Sequence, residues 1–173
     1  GLIGCGNIAE TYFRSQNYFN NIKFIACADI NKASADKCAK QNNIDSMSVD
    51  ALLNNEDVDI ILNLTIPKAH FEVSEKALNA GKHVYSEKPM AVKISDAKKL
   101  IELSNNNKLY FGNAPDTFLG GGIQKSRQLI DEESIGKVLT GNFIFAFSGV
   151  QTFHPNPESW FQEGGGPVID MGP

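Results

Sequence analysis

The sequence predicts an α/β protein: a doubly wound parallel sheet, followed by the truncated start of a second α/β domain with a mixed or antiparallel sheet. Three observations carry that prediction. Short apolar runs alternate with amphipathic stretches of helical spacing through residue 112, and alternation at these lengths requires right-handed crossovers and a sheet covered on both faces. A glycine turn, Gly4-Cys5-Gly6-Asn7-Ile8-Ala9, joins the first strand to the first helix. After Gly112 the pattern changes to one helix, one long alternating run and a loop dense in Pro, Asn and Gly.

Taken in order, residues 1–3 are a strand stub feeding the glycine turn, 7–18 a helix, and 22–28 an apolar strand. Residues 31–41, rich in Ala and Lys, form the next helix. A short link follows, with a minor helix over 48–54. Residues 58–64 have the character of a parallel strand buried on both faces. Residues 67–80 form a helix with Pro67 in its first turn and Gly81 just past its end, the usual asymmetry of helix punctuation. Residues 82–85 are strand, 95–105 helix with Ser95 as N-cap, and 108–111 strand. Beyond the boundary, 118–133 is a helix with a glycine-rich start and 137–147 a long strand whose alternation suits an antiparallel sheet. Residues 1–112 are thus expected to be one domain and 113–173 the start of another. The opening inside a strand and the close at Met171-Gly172-Pro173 suggest a fragment of a longer chain.

Composition narrows the function classes. The chain has 173 residues, 42% of them hydrophobic, enough for a buried core rather than disorder. Sixteen Lys+Arg against twenty Asp+Glu give a net charge of −4, with Arg14 and Arg127 the only arginines. Such a surface lacks the clustered cations that nucleic-acid binding requires, so no nucleic-acid partner is expected. No apolar run approaches the ~20 residues of a membrane span, so no membrane partner is expected either. Cys5, Cys27 and Cys38 are odd in number and lack C-x-x-C spacing. They suggest reduced, mostly buried thiols in a cytoplasmic setting, with neither a disulfide framework nor a metal site.

The glycine turn has the G-x-G-x-x-G/A pattern in the context that gives it meaning, after a strand and opening a helix. Gly4 permits the tight turn and Gly6 lets backbone approach a pyrophosphate. Ala9 is small enough for close helix packing, and the helix N-terminus offers N–H groups to phosphates. A plain strand-turn-helix corner carries the same glycines; Asp29 separates the two readings. It ends the second strand, twenty residues beyond Ala9, where a carboxylate accepts hydrogen bonds from an adenosine ribose diol and repels a 2′-phosphate. The expected cofactor is therefore NAD rather than NADP, held in a Rossmann domain by Gly4, Gly6, Asn7, Ile8 and Asp29. Open α/β sheets bind ligands at strand carboxyl ends. Thr65 and Pro67 after the fourth strand, and Glu87 and Lys88 after the fifth, would line the nicotinamide half of the cleft. The other reading of Glu87 is a surface ion pair with a nearby lysine. Pro89 restricts the residue before it, and an X-Pro bond can be cis.

The glycine turn, the strand-ending Asp29 and Ala80-Gly81-Lys82-His83-Val84-Tyr85-Ser86-Glu87-Lys88-Pro89 together resemble the Gfo/Idh/MocA family, NAD(P)-dependent oxidoreductases of sugars, inositols and related polyols. Ala114-Pro115-Asp116-Thr117-Phe118-Leu119-Gly120 and the stretch from Gly164 to Pro173 are similar to that family's second domain. The resemblance implies Lys88 as catalytic lysine, with Glu87 near the nicotinamide carboxamide. It implies Asp170 as the Asp of a D-x-G-x-H pattern whose His falls at the position after Pro173. It also places His70 near the cofactor, although a helix-start histidine kept neutral by the helix dipole fits equally. Asn113, His154 and Trp160 are candidates to face a polyol or sugar substrate, while His83 reads as structural. The implied reaction is hydride transfer between the nicotinamide and a secondary alcohol, in a homo-oligomeric protein. Two alternatives stay open: tightly bound NAD used transiently, in glycoside cleavage or coupled sugar oxidoreduction, and a non-catalytic dinucleotide-binding sensor.

Overall fold

The structure, a computed structural model, describes residues 1–152 and 157–172, the side chains at 159, 170 and 171 excepted. It divides into two compact units, Gly1–Ala114 with Glu163–Pro173, and Pro115–Gln162.

The first unit is built on a six-stranded, wholly parallel sheet in the order β3-β2-β1-β4-β5-β6, with β1 Leu2–Ile3, β2 Ala26–Ala28, β3 Asp45–Ser46, β4 Ile60–Asn63, β5 His83–Ser86 and β6 Phe111–Asn113. Five helices follow in alternation: α1 Ala9–Ser15, α2 Lys32–Asn42, α3 Val49–Leu53, α4 Pro67–Asn79 and α5 Ile94–Asn106. Strand parity divides them between the faces. Leu2 and Cys27 point into a cluster with Ala9 and Phe13 of α1 and Cys38 and Ala39 of α2. Their neighbours Ile3, Ala26 and Ala28 enter the opposite core, with Leu52 and Leu53 of α3, Ala77 and Leu78 of α4, and Leu100 of α5. This is the doubly wound arrangement expected, with the chain reversing direction across the sheet between β1 and β4.

The boundaries follow local chemistry. The Asn31 side chain caps α2 by accepting from the N–H groups of Ala33 and Ser34, and Asn43 ends the helix in a left-handed turn. Pro67 opens α4, and Gly81 leaves it at φ 75°. Ser95 is not the cap of α5: the helix starts one residue earlier, with Lys93 at the cap position. That helix runs on to Asn106 and exits through Lys108 at φ 55°, which delays β6 to residue 111. The two-residue β3 pairs with β2 at the sheet edge; so short and polar a strand leaves no periodic signal. None of the described helices is long and apolar enough to cross a membrane.

The second unit contains a 3-10 turn at Thr117–Leu119, α6 at Gly121–Asp131 and two further 3-10 turns, Val150–Thr152 and Pro157–Phe161. The helix anticipated over 118–133 therefore begins later, at Gly121, after the turn. The long strand anticipated over 137–147 is absent: these residues belong to no ladder, and Leu139, Phe143 and Ile144 are largely exposed. Alternation marks a face in need of cover, but a strand also needs a hydrogen-bonded neighbour, and the described residues supply none here. Phe145 instead stacks on Phe143 and meets Phe147 at a tilt of 60°.

In the first unit, the C-terminal segment carries α7, Gly166–Met171. Gly164, buried and at φ 88°, packs against Val92 and Pro67, where a Cβ would stand 2.7 Å from Val92 and 3.0 Å from Pro67.

Candidate functional site

The carboxyl edge of the sheet collects the candidate residues in strand order. Asp29 follows β2, Gly4 to Ile8 follow β1, Thr65 and Pro67 follow β4, Glu87 and Lys88 follow β5, and Asn113 ends β6. From β2 to β5 is three strand spacings, about 14 Å.

At the β1 end, Gly4 has φ 101°, and a Cβ there would lie 2.5 Å from the carbonyl oxygen of Leu64. The turn must therefore hug β4, which only glycine allows. Gly6 is the opposite case: a Cβ would meet nothing within 4 Å, so its bare backbone faces open space that a ligand can approach. Asn7 and Ile8 are exposed beside it. Asp29 is locked to the turn, its Oδ2 accepting the N–H of Cys5 at 2.8 Å and its Oδ1 the N–H of Asn31 at 2.7 Å. Each carboxylate oxygen keeps a second lone pair for another donor.

Beneath the same turn, burial pushes the Cys27 thiol up to about 11, with the Cys38 sulfur adding to the rise, and burial raises Cys5 as well, with Cys27 and Cys38 both adding to it. A groove of about 410 Å³ runs between the glycine turn with α1 and α2, with Gly6, Asn7, Ser34 and Lys37 among its lining residues.

The β4 end is organised by Asn63, which is fully buried. Its Nδ2 donates to the carbonyl of His70 at 3.0 Å and to Ser74 Oγ at 2.9 Å, and its Oδ1 accepts from Thr65 Oγ1 at 2.7 Å and the Thr65 N–H at 3.3 Å. This network fixes the turn from β4 into α4. Replacing Asn63 by Ala strips partners from Thr65 and Ser74 together, and is expected to cost about 2–4 kcal/mol, read as a lowered urea midpoint at unchanged slope.

The β5 end is braced on both sides. The Glu87 N–H donates to the Asn63 carbonyl at 2.9 Å, and the Glu87 carboxylate accepts from Tyr12 Oη at 2.7 Å and from the Lys88 N–H at 3.1 Å. Glu87 is thus tied to a tyrosine and its neighbour's backbone. Lys88 is half-buried, and the Lys88-Pro89 bond is cis. Asn113 Nδ2 donates to the carbonyls of Ser86 and Glu87 at 2.9 and 3.1 Å. The ring of His70, 1% exposed, lies between two carbonyls, with Nδ1 2.6 Å from Pro89 O and Nε2 2.9 Å from Thr65 O. Both Asn113 and His70 hold the strand-end loops in place, so their polar atoms are directed at the chain's own backbone. His83 accepts the N–H of Tyr110 between β5 and β6.

Three candidates remain. Asp170 falls on α7, and its side chain lies outside the described residues. His154 also lies outside them. Trp160 belongs to the second unit, edge-on to Phe161 at 5.0 Å. Sequence reasoning missed Tyr12, Asn63 and Ser74. Asn63 had a signal, an amide at the end of an otherwise apolar strand. Tyr12 had none, because its partner is 75 positions away.

Residues 1–113 match the family model described as an oxidoreductase family with an NAD-binding Rossmann fold. D-xylose dehydrogenase of Paenarthrobacter nicotinovorans is 31% identical over 132 residues, covering 73% of this chain and 34% of that protein. Inositol 2-dehydrogenase of Salmonella paratyphi B is 32% identical over 112 residues, 62% of this chain and 33% of that protein. Among solved structures, KijD10, a 3-ketoreductase from Actinomadura kijaniata in complex with NADP, is similar with a TM-score of 0.72 at 26% identity, over 79% of this chain and 44% of that one. The chain spans about a third of the length of these two curated relatives. The glycine turn, the strand-ending carboxylate and the Glu87-Lys88-Pro89 element all fall inside the matched residues, and the chain belongs to the Gfo/Idh/MocA oxidoreductase family.

Proposed function

We propose that this chain carries the cofactor half, residues 1–112, and the first part of the substrate half, from residue 113, of an NAD-dependent oxidoreductase. Its substrate is a sugar, inositol or related polyol, oxidised or reduced at a secondary alcohol carbon. The observation that carries the reading is the ordered line of Asp29, Gly4 to Gly6, Thr65 and Glu87-Lys88 along one carboxyl edge. The relatives named for D-xylose and inositol support the substrate class.

The residues fit a dinucleotide. Gly6 presents backbone with no side chain in the approach, and Asp29 keeps two lone pairs beside it for a ribose diol. The same carboxylate opposes a 2′-phosphate, which favours NAD over NADP. When bound, the nicotinamide supplies the hydride acceptor or donor, and the protein supplies orientation and charge control.

Thr65 and Pro67 border the nicotinamide end. Glu87, held by Tyr12, shapes the carboxamide side. The Lys88 ammonium hydrogen-bonds the reacting oxygen and stabilises the negative charge that develops as the O–H proton leaves. Asp170 assists that proton's departure. His70 and Asn113 act as positioning residues, because each fixes carbonyls flanking Lys88.

Asp29→Ala tests the cofactor assignment. NAD affinity is expected to fall about tenfold or more, as a charge-assisted hydrogen-bonding group worth about 1.5–3 kcal/mol is lost, and the preference for NAD over NADP should narrow. Titration of both dinucleotides by calorimetry checks it. Unchanged selectivity would remove Asp29 from the ribose site.

A further inference from the structure

Cys5, Cys27 and Cys38 have no motif spacing, yet the fold brings them together. Cys5 lies between the two glycines of the turn, Cys27 on the face of β2 that α1 and α2 cover, and Cys38 on the inner side of α2. Their Sγ atoms all lie within 4.8 Å of one another, and among the described residues no His, Asp or Glu completes a larger group with them. Their local partners are weak: Cys5 Sγ donates to the Ala28 carbonyl at 3.6 Å and Cys27 Sγ to the Ala35 carbonyl at 3.5 Å, while Asn42 Nδ2 reaches Cys38 Sγ only at 4.0 Å. Cys27 and Cys38 are buried and Cys5 is half-exposed. Cys5 and Cys38 also line the groove between α1 and α2, which gives the cluster a route to solvent.

Three sulfurs bound to one soft centre at about 2.3 Å stand about 3.3–4 Å apart, the shorter value for a pyramidal centre, so side-chain rotations that bring the sulfurs about 1 Å closer close this site. Softness restricts its ligand to thiophilic centres, and charge decides among them. Zinc completes a tetrahedron with a fourth ligand. Cu(I) on three thiolates leaves two net negative charges in a largely buried place, which is costly without paired cations. Trivalent arsenic takes three sulfurs and keeps its remaining position for a lone pair. In arsenous acid, three As–O bonds and three S–H bonds break while three As–S bonds form, and three water molecules leave. The product is neutral, and nothing is oxidised or reduced.

We propose that Cys5, Cys27 and Cys38 form a three-thiol site for trivalent arsenic, and that its occupation excludes the dinucleotide, because Cys5 and Cys38 line the same groove as Gly6 and Asn7. The second half rests on the cofactor reading above. The test incubates the reduced protein with arsenite and records native mass spectra. The expected adduct gains one arsenic atom and loses three hydrogens; only these three cysteines exist in the chain. Cys5→Ser and Cys5→Ala remove the half-exposed ligand without emptying the core. Each should weaken arsenite by more than about 100-fold, since losing even a residue behind a ligand costs about 10–100-fold. No adduct, an adduct that loses fewer hydrogens, or undiminished affinity in both variants would overturn the site. NAD titration with and without arsenite separates the two claims. Loss of NAD binding on arsenite addition supports exclusion, and unchanged NAD affinity on a fully formed adduct overturns it. Failure of the arsenite-free protein to bind NAD sinks the cofactor reading and leaves the arsenic adduct as its own result.

Discussion

Gly4→Ala should destabilise the first unit by about 3–5 kcal/mol, a large share of the ~5–15 kcal/mol that holds an ordinary domain. Two costs combine. Gly4 sits at φ 101°, where an L side chain is strained by about 1–3 kcal/mol. The new Cβ would also stand 2.5 Å from the Leu64 carbonyl oxygen and 2.7 Å from the Thr65 nitrogen. These are backbone atoms of the β4 turn, and they cannot swing aside as a flexible side chain would. Gly4 also donates its N–H to Ala28 at 2.9 Å, so relief by moving the turn breaks the link to β2. Gly6→Ala is the matched control. Its Cβ meets nothing, so stability should stay within about 0.5 kcal/mol. NAD affinity should nevertheless fall, because the methyl group occupies the space through which a pyrophosphate approaches. Urea midpoints and dinucleotide titrations on the two variants separate the roles. Equal stability of Gly4→Ala and the parent would refute the close approach, and full NAD binding by Gly6→Ala would move the pyrophosphate elsewhere.

That contrast shows what a sequence can and cannot convey. Both glycines are visible in one motif, and the strand-helix rhythm through residue 112 was enough to anticipate a doubly wound sheet. The place of Asp29 just past β2 was legible because strand ends are readable from apolar runs. Asn63 was half-legible: an amide inside an apolar strand demands partners, but which partners depends on how α4 folds back. The tie of Tyr12 to Glu87 and the gathering of the three cysteines were not legible. They depend on side-chain parity across β1, β2 and the helices covering one face, and no local pattern encodes contacts between distant elements. Residues 137–147 show the converse limit. Their alternation suits a strand, but a strand is a pairwise structure, and pairing lies outside what one segment can specify.

Lys88→Ala is expected to lower kcat by about 10²–10⁴, the usual worth of general acid–base assistance. That is about 3–5 kcal/mol of transition-state stabilisation. NAD affinity and folding stability should stay nearly unchanged, and this combination is what the local architecture dictates. The backbone around Lys88 is held by other residues: Asn63 accepts the Glu87 N–H, Asn113 holds the Ser86 and Glu87 carbonyls, and His70 holds the Pro89 carbonyl. On the proposed role, truncating the lysine removes a charge at the reacting oxygen while the loop that presents it stays in place. Lys88→Arg should not restore full turnover, because a planar guanidinium carries its charge farther out and more diffusely than an ammonium. Steady-state kinetics on polyols and aldoses, followed by NADH absorbance, read the first effect; dinucleotide titration and urea unfolding read the other two. Undiminished turnover in Lys88→Ala would take the lysine out of the chemistry. A matching loss of NAD affinity or stability would instead make it a structural member of the loop, because only a residue acting on the reacting atoms lowers kcat alone.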